Sequence, residues 1–285
     1  MGKFFDALKK SEKSGTLDSS AKPSPEKIVD NRGERIDALR LETKRLEPAV
    51  SARHSFSDRM DPRLVCALES SSPAAECFRV LRSKLILGSL GKVRNTIMVT
   101  GSLPQDGKSL VAANLAVCIA KGINEYVMLV DCDLRFPSLQ DIFGLEAKHG
   151  LREYLEEGTS IAPYLLKTPV QKLTLLPAGE PIASPSELLG SKKMRQLVEE
   201  LKSRYQDRYI IFDTPPSQFL ADNAFLSHMV DDVLLVVRSG KTSKDAVLQT
   251  IESIGREKIS GLIFNASDEP LKDYRYYYKY YQKGK

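Results

Sequence analysis

The chain is expected to fold as an α/β protein on a doubly wound, mostly parallel sheet flanked by helices. Three observations carry that expectation. Short apolar runs at 95–100, 126–131, 173–177, 208–213, 232–238 and 260–265 are mostly continuous rather than alternating, as in strands buried on both faces. Helical patterns at 109–121, 138–143, 150–157, 186–206, 219–229 and 243–257 separate them, and strand alternating with helix is the signature of parallel pairing. A Gly-Lys-Ser turn joins the first strand to the helix after it, and ligands of such sheets gather beyond the carboxyl ends of the strands.

That turn, residues 100–109, reads Thr-Gly-Ser-Leu-Pro-Gln-Asp-Gly-Lys-Ser. Counted from Ser102, it has the spacing of a phosphate loop, with Ser102 where the usual pattern has its first glycine. A tight loop and the start of the next helix form a concave array of N–H donors for phosphate oxygens. Pro104, Gln105, Asp106, Gly107, Lys108, Ser109 and Leu110 are therefore the candidate nucleotide contacts. Lys108 is suited to the β- and γ-phosphates, and the Ser109 hydroxyl to Mg²⁺. A strand–helix turn carrying Lys-Ser by chance would read the same locally, so the case depends on the other strand ends.

Those ends are acidic. The run at 127–130 terminates in Asp131-Cys132-Asp133-Leu134-Arg135, and the run at 209–212 in Asp213-Thr214-Pro215-Pro216. A carboxylate at the end of a buried strand is costly unless a cation or donors receive it. One such Asp is commonly a helix cap. Three beside a Lys-Ser loop point to Mg²⁺ carried by a nucleotide.

The remainder bounds the answer. At 285 residues the chain allows one sizeable domain with appendages, and its net charge of +5 permits anionic partners without demanding nucleic acid. No apolar run approaches the ~18 residues of a membrane span, and the N-terminus has no signal-peptide core. Cys66, Cys77, Cys118 and Cys132 lack Cys-x-x-Cys spacing and read as reduced cytosolic thiols. Residues 1–13 set Phe4, Phe5 and Leu8 beside lysines: a frayed terminal helix, or a basic amphipathic helix docking on a membrane surface or partner. Residues 14–62 are rich in Ser, Pro, Lys, Glu and Arg and read as a flexible linker, leaving 63–268 for the folded domain and 269–285 for a tail. A helix over 73–87 carries Glu76, Arg79 and Arg82 on one polar side, as many solvated faces do.

An apolar run then Asp-x-Asp-x-Arg, and an apolar run then Asp-x-Pro-Pro, resemble the second and third motifs of the bacterial tyrosine kinases. Their fold is that of P-loop partitioning ATPases. The resemblance covers about residues 73–281, including Glu76-x-x-Arg79-x-x-Arg82, the segment Pro185–Leu189 and a tyrosine-rich end. It implies ATP and Mg²⁺ as cofactors, with Ser109 and Asp213 holding the metal directly or through water. It implies that Asp131 positions the metal and accepts the tyrosine proton, that Asp133 supports the metal shell, and that Arg135 orients phosphate or a carboxylate. Asn265 resembles an adenine contact, and Glu76, Arg79 and Arg82 an oligomer interface. The expected partners are further copies of the chain, in a ring, a membrane-embedded polysaccharide co-polymerase that activates it, and a cognate tyrosine phosphatase. The expected location is the cytoplasmic face of the membrane, and the process capsular or exopolysaccharide synthesis and export.

Six of the eleven tyrosines fall in the tail: Tyr274, Tyr276, Tyr277, Tyr278, Tyr280 and Tyr281. With no aliphatic residue among them they form neither a core strand nor an amphipathic helix, and they are the candidate phosphoacceptors. Two rivals stay open. One is a P-loop ATPase switch without kinase activity, cycling on a membrane or partner. The other is a nucleic-acid-binding ATPase that stacks bases on the tail, where Arg275 and Lys279 interleave the rings. The loop also departs from its relatives at Gln105, which a positive φ would strain, and at Asp106, whose charge is expected to weaken ATP binding.

Overall fold

The computed structural model describes residues 59–88, 94–204, 207–217 and 222–267. The expected docking helix, most of the linker and the six tail tyrosines lie outside these residues. In chain order the elements are α1 (Val65–Leu68), α2 (Pro73–Gly88), β1 (Thr96–Gly101), α3 (Lys108–Ala120), β2 (Tyr126–Asp131), α4 (Leu139–Ile142) and α5 (Leu151–Glu156). They continue with β3 (Leu166–Lys167), β4 (Leu173–Leu176), α6 (Ser186–Leu189), α7 (Lys192–Arg204), β5 (Arg208–Asp213), α8 (Asp222–Ser227), β6 (Asp232–Arg238), α9 (Lys244–Ile254) and β7 (Ile259–Asn265).

The seven strands make one sheet in the order β3-β4-β2-β5-β1-β6-β7. All neighbours pair parallel except β3 with β4. The continuous apolar runs explain the layers. Alternate residues of β1, Ile97 and Val99 against Met98, enter opposite cores. One face packs on α3, α1 and α2, the other on α5, α6 and α7. α3 is apolar nearly all round because it lies sandwiched between the sheet and the two preceding helices. The chain leaves β1 for one side of the sheet and returns through β6 to the other, so the end of β1 is the switch point where such sheets hold ligands.

Three expectations are corrected. The helix over 186–206 is broken at Gly190: Ser191 Oγ accepts the Met194 N–H at 3.1 Å and starts α7 afresh. The two-residue edge strand β3 has too few residues to show a period. The linker ends before 62, because Met60 packs on the core and the Asp61 N–H donates to the Ile142 carbonyl at 3.0 Å.

Candidate active site

The loop 102–107 is bent by two left-handed residues, Gln105 (φ 65°) and Gly107 (φ 93°). Gly107 is required, since a Cβ there would lie 2.0 Å from Asn265 Nδ2. Gln105 does take the strained conformation, at a cost on the order of 1–2 kcal/mol, and its neighbours over-determine it. Arg238 Nη1 donates to the Gln105 carbonyl at 2.9 Å, and Asn265 Nδ2 to the Asp106 carbonyl at 2.9 Å. The Asp106 carboxylate turns inward, accepting the Leu103 N–H at 2.8 Å and the Thr242 hydroxyl at 2.7 Å. It staples the loop from within. Arg238 and Thr242 were not among the candidates. The only signal was their position at the end of a buried strand and just past it.

The N-cap of α3 is Gly107, which has no side chain to occupy the N–H donors of the first turn, and those donors suit an anion. Lys108 opens this helix, only 7% exposed, with Nζ 3.4 Å from the Leu103 carbonyl. Burial lowers its pKa, while Asp213, Asp133 and Asp106 oppose that shift. Ser109 follows, on the side of Asp213.

The register sets Asp131 beside Asp213 on adjacent strands, and Asp213 beside Val99 of β1. Asp213 is fully buried, and neither carboxylate oxygen has a partner of hydrogen-bond geometry among the described residues. Burial, then Asp131, pushes its pKa well above the carboxylate range, with the Ser109 hydroxyl and Lys108 pulling down. Asp131 differs. It accepts the Asp133 N–H at 3.1 Å and the Ser138 and Leu139 N–H groups at 3.2 Å each. Burial still takes it up to about 7. Asp133 accepts from the Arg135 and Phe136 N–H groups, and burial raises its pKa too. Arg135 has its buried Nε unpartnered among the described residues.

Lys108, Ser109, Asp131, Asp133 and Asp213 thus converge at the ends of β1, β2 and β5. The orphaned Asp213 oxygens beside a hydroxyl fit a hard cation that brings phosphate and water ligands with it. A cleft of about 630 Å³ adjoins the loop, lined by Gln105, Gly107, Lys108, Ser109 and Leu110, by Arg59–Arg63, and by Ser138, Asp141 and Ile142; Asp131, Asp133 and Asp213 are not in its wall. Glu76 and Arg79 pair with each other on α2, Arg79 also donates to the Ser70 carbonyl at 2.6 Å, and Arg82 to the Cys118 carbonyl at 3.0 Å. These motif residues make ties within the chain, away from the phosphate loop.

Loop, sheet order and strand-end carboxylates define a P-loop fold of the partitioning-ATPase type, and a family model described as an AAA domain matches residues 97–262. Tyrosine-protein kinase YwqD of Bacillus subtilis is 32% identical over 231 residues, covering 80% of this chain and 96% of YwqD. Tyrosine-protein kinase etk of Escherichia coli is 33% identical over 195 residues, 67% of this chain, but the chain spans only 26% of that longer protein. Among solved structures, the chimerical protein CapA2B2 has a TM-score of 0.66 at 30% identity, covering 74% of this chain and 92% of that one. The chain belongs to the bacterial tyrosine kinase family.

Proposed function

We propose that the chain is an ATP-dependent protein-tyrosine kinase that phosphorylates its own tail tyrosines, Tyr274 to Tyr281, in trans between neighbouring copies. The observation that carries this reading is Asp213, a fully buried carboxylate beside Lys108 and Ser109 with no partner of hydrogen-bond geometry among the described residues. In a chain of this family that arrangement calls for Mg·ATP. Ser109 and Asp213 would hold Mg²⁺, which supplies charge neutralisation at the phosphates. Lys108 and the α3 N–H groups bind and orient the phosphates. Asp131, with a pKa near neutrality, takes the proton from the incoming tyrosine hydroxyl. Asp133 and Arg135 support the metal and phosphate side. Asn265 holds the loop and, by resemblance, borders the base. Phosphoryl transfer is mostly positioning and charge stabilisation, so few groups suffice.

The root of the tail supports self-phosphorylation. β7 ends at Asn265, whose amide touches the phosphate loop. Eight residues, 266–273, can span up to about 26 Å before the first tail tyrosine. That brings the cluster within reach of its own site or a neighbour's. Each phosphotyrosine adds about −1.5 to −2 charge, so phosphorylation reverses the charge of the tail, expels it from the carboxylates and loosens the assembly through Glu76, Arg79 and Arg82. By family resemblance the setting is control of capsular or exopolysaccharide synthesis, under a membrane co-polymerase that recruits and activates the chain, with a phosphatase to reset it. Among the described residues no helix is long and apolar enough to cross a membrane.

The test is incubation of the full chain with Mg·ATP and mass spectrometry of the 270–285 peptide, with Lys108→Met alongside. Phosphate on several tail tyrosines, absent from the variant, is the expected result. Free phosphate with an unmodified tail would replace the kinase reading with an ATPase switch. Light scattering before and after phosphorylation checks the release step; an unchanged assembly counts against it.

A further inference from the structure

We propose that Cys66 and Cys118 form a redox-active thiol pair, which hydrogen peroxide converts to a disulfide joining α1 to the phosphate-loop helix α3. The two side chains lie on different helices of the same core, and the Cys66 backbone sits on the face of α3 that carries Asn114, Cys118 and Lys121 at i, i+4 and i+7. Hydrogen bonds fix the backbones there. The Cys66 N–H donates to Asn114 Oδ1 at 2.9 Å, and Asn114 Nδ2 donates to the Arg63 carbonyl at 3.1 Å. Lys121 Nζ donates to the Cys66 carbonyl at 2.5 Å, and Arg82 Nη1 to the Cys118 carbonyl at 3.0 Å. Cystine formation needs this pre-alignment, because the S–S bond tolerates little error in the approach of the two Cβ atoms.

The surroundings assign the roles. Cations stand around the pair, Lys121 beside Cys66 and Arg82 beside Cys118, with Arg79 near both. The Cys66 hydrogen bond, then Arg82 and Arg79, lowers the Cys118 thiol to about 7, whereas the same bond and burial raise that of Cys66. Cys118 is therefore the attacking thiolate and Cys66 the resolving thiol. The other cysteines are internal controls. Burial raises the Cys132 thiol, with Asp131, Asp213 and Asp133 adding to it, and burial raises that of Cys77. At 3% and 4% exposure Cys66 and Cys118 are reachable only by a small oxidant. Their neighbours Ala67, Leu68, Ala120 and Lys121 line a cleft of about 540 Å³ that opens the molecule on this side.

The chemistry balances without another reductant. The Cys118 thiolate attacks one peroxide oxygen, the O–O bond breaks, and the departing hydroxide takes a proton to leave as water. Cys66 sulfur then displaces hydroxide from the Cys118 sulfenic acid, its thiol proton completing a second water. Two thiols are oxidised by two electrons as one peroxide is reduced. The disulfide closes a covalent ring containing α2, β1 and the phosphate loop.

The test uses the reduced full chain, treated with hydrogen peroxide, alkylated while unfolding and mapped by mass spectrometry without reduction. The expected result is a Cys66–Cys118 linked peptide within one chain, reversed by dithiothreitol, with Cys77 and Cys132 alkylated. Cys66→Ser should leave a Cys118 sulfenic acid that dimedone traps, and Cys77→Ser should leave the link intact. Full alkylation of both Cys66 and Cys118 after peroxide, or links only between chains, overturns the proposal. The readout does not depend on phosphoryl transfer.

Discussion

One sheet carries acidic clusters at both ends, and they are treated differently. At the amino ends of β1 and β6, Asp231 accepts the Asn95 N–H at 3.1 Å, the Thr96 N–H at 3.2 Å, the Thr96 hydroxyl at 2.7 Å and the Lys202 ammonium. Asp232 accepts from Arg94 and the Ser260 hydroxyl, each at 2.6 Å. Burial works to raise the Asp231 pKa, but Lys202 and Thr96 prevail and hold it below its usual value. At the carboxyl ends of β2 and β5, Asp213 has no such partners among the described residues and its pKa rises instead. Both clusters terminate apolar strands, so composition does not separate them. What does is whether the fold completes the carboxylate's shell. A shell left open at the switch point of the sheet suits a cation and its phosphates.

The sharpest way to use that contrast is to remove its cation. Lys108→Met is expected to reduce tail phosphorylation by about 10³-fold or more, read as initial rates with Mg·ATP, while leaving the far end of the sheet untouched. Next come matched amide substitutions at the two ends. Asp213→Asn removes a carboxyl whose ionisation burial opposes and should stabilise the ligand-free protein by about 1–3 kcal/mol at alkaline pH, measured by urea unfolding. Asp231→Asn removes the charge Lys202 needs and should destabilise by about 1–3 kcal/mol. Equal signs for the two would break the comparison.

The pH dependences should also oppose each other. At the nucleotide end, raised pKa values mean the folded protein keeps protons that the unfolded chain has lost. That stability is present below about pH 4 and disappears as pH rises through about 7, the value for Asp131. Thermal unfolding of the ligand-free protein should therefore weaken between pH 5 and 7.5, roughly these limits, and do so less in Asp213→Asn. At the far end the lowered Asp231 pKa works in reverse: its contribution is present above about pH 4 and lost as pH falls through the folded value. A smaller effect concerns the brace of the loop. Arg238→Gln frees the Gln105 carbonyl, and ATP binding should weaken about fivefold, the equivalent of about 1 kcal/mol, without a matching loss of stability.

The sequence was informative where physics is local. Short continuous apolar runs placed β1, β2, β5, β6 and β7 within a residue or so. It was silent where the outcome depends on tertiary partners. Asp106 looked like an exposed charge in a phosphate loop, and only folding turns it onto Leu103 and Thr242. The fates of Asp231 and Asp213 depend on Lys202, Thr96 and β2, distant in the chain. Gln105 looked like a penalty because Arg238, which offsets it, is 133 positions away.

The most direct test of the open-shell account is a calorimetric titration of the wild type and Asp213→Asn with a non-hydrolysable ATP analogue, with and without Mg²⁺. The account predicts tight, Mg²⁺-dependent binding by the wild type, and binding by the variant that is weaker and indifferent to the metal. Equal Mg²⁺ dependence in the two proteins would contradict it.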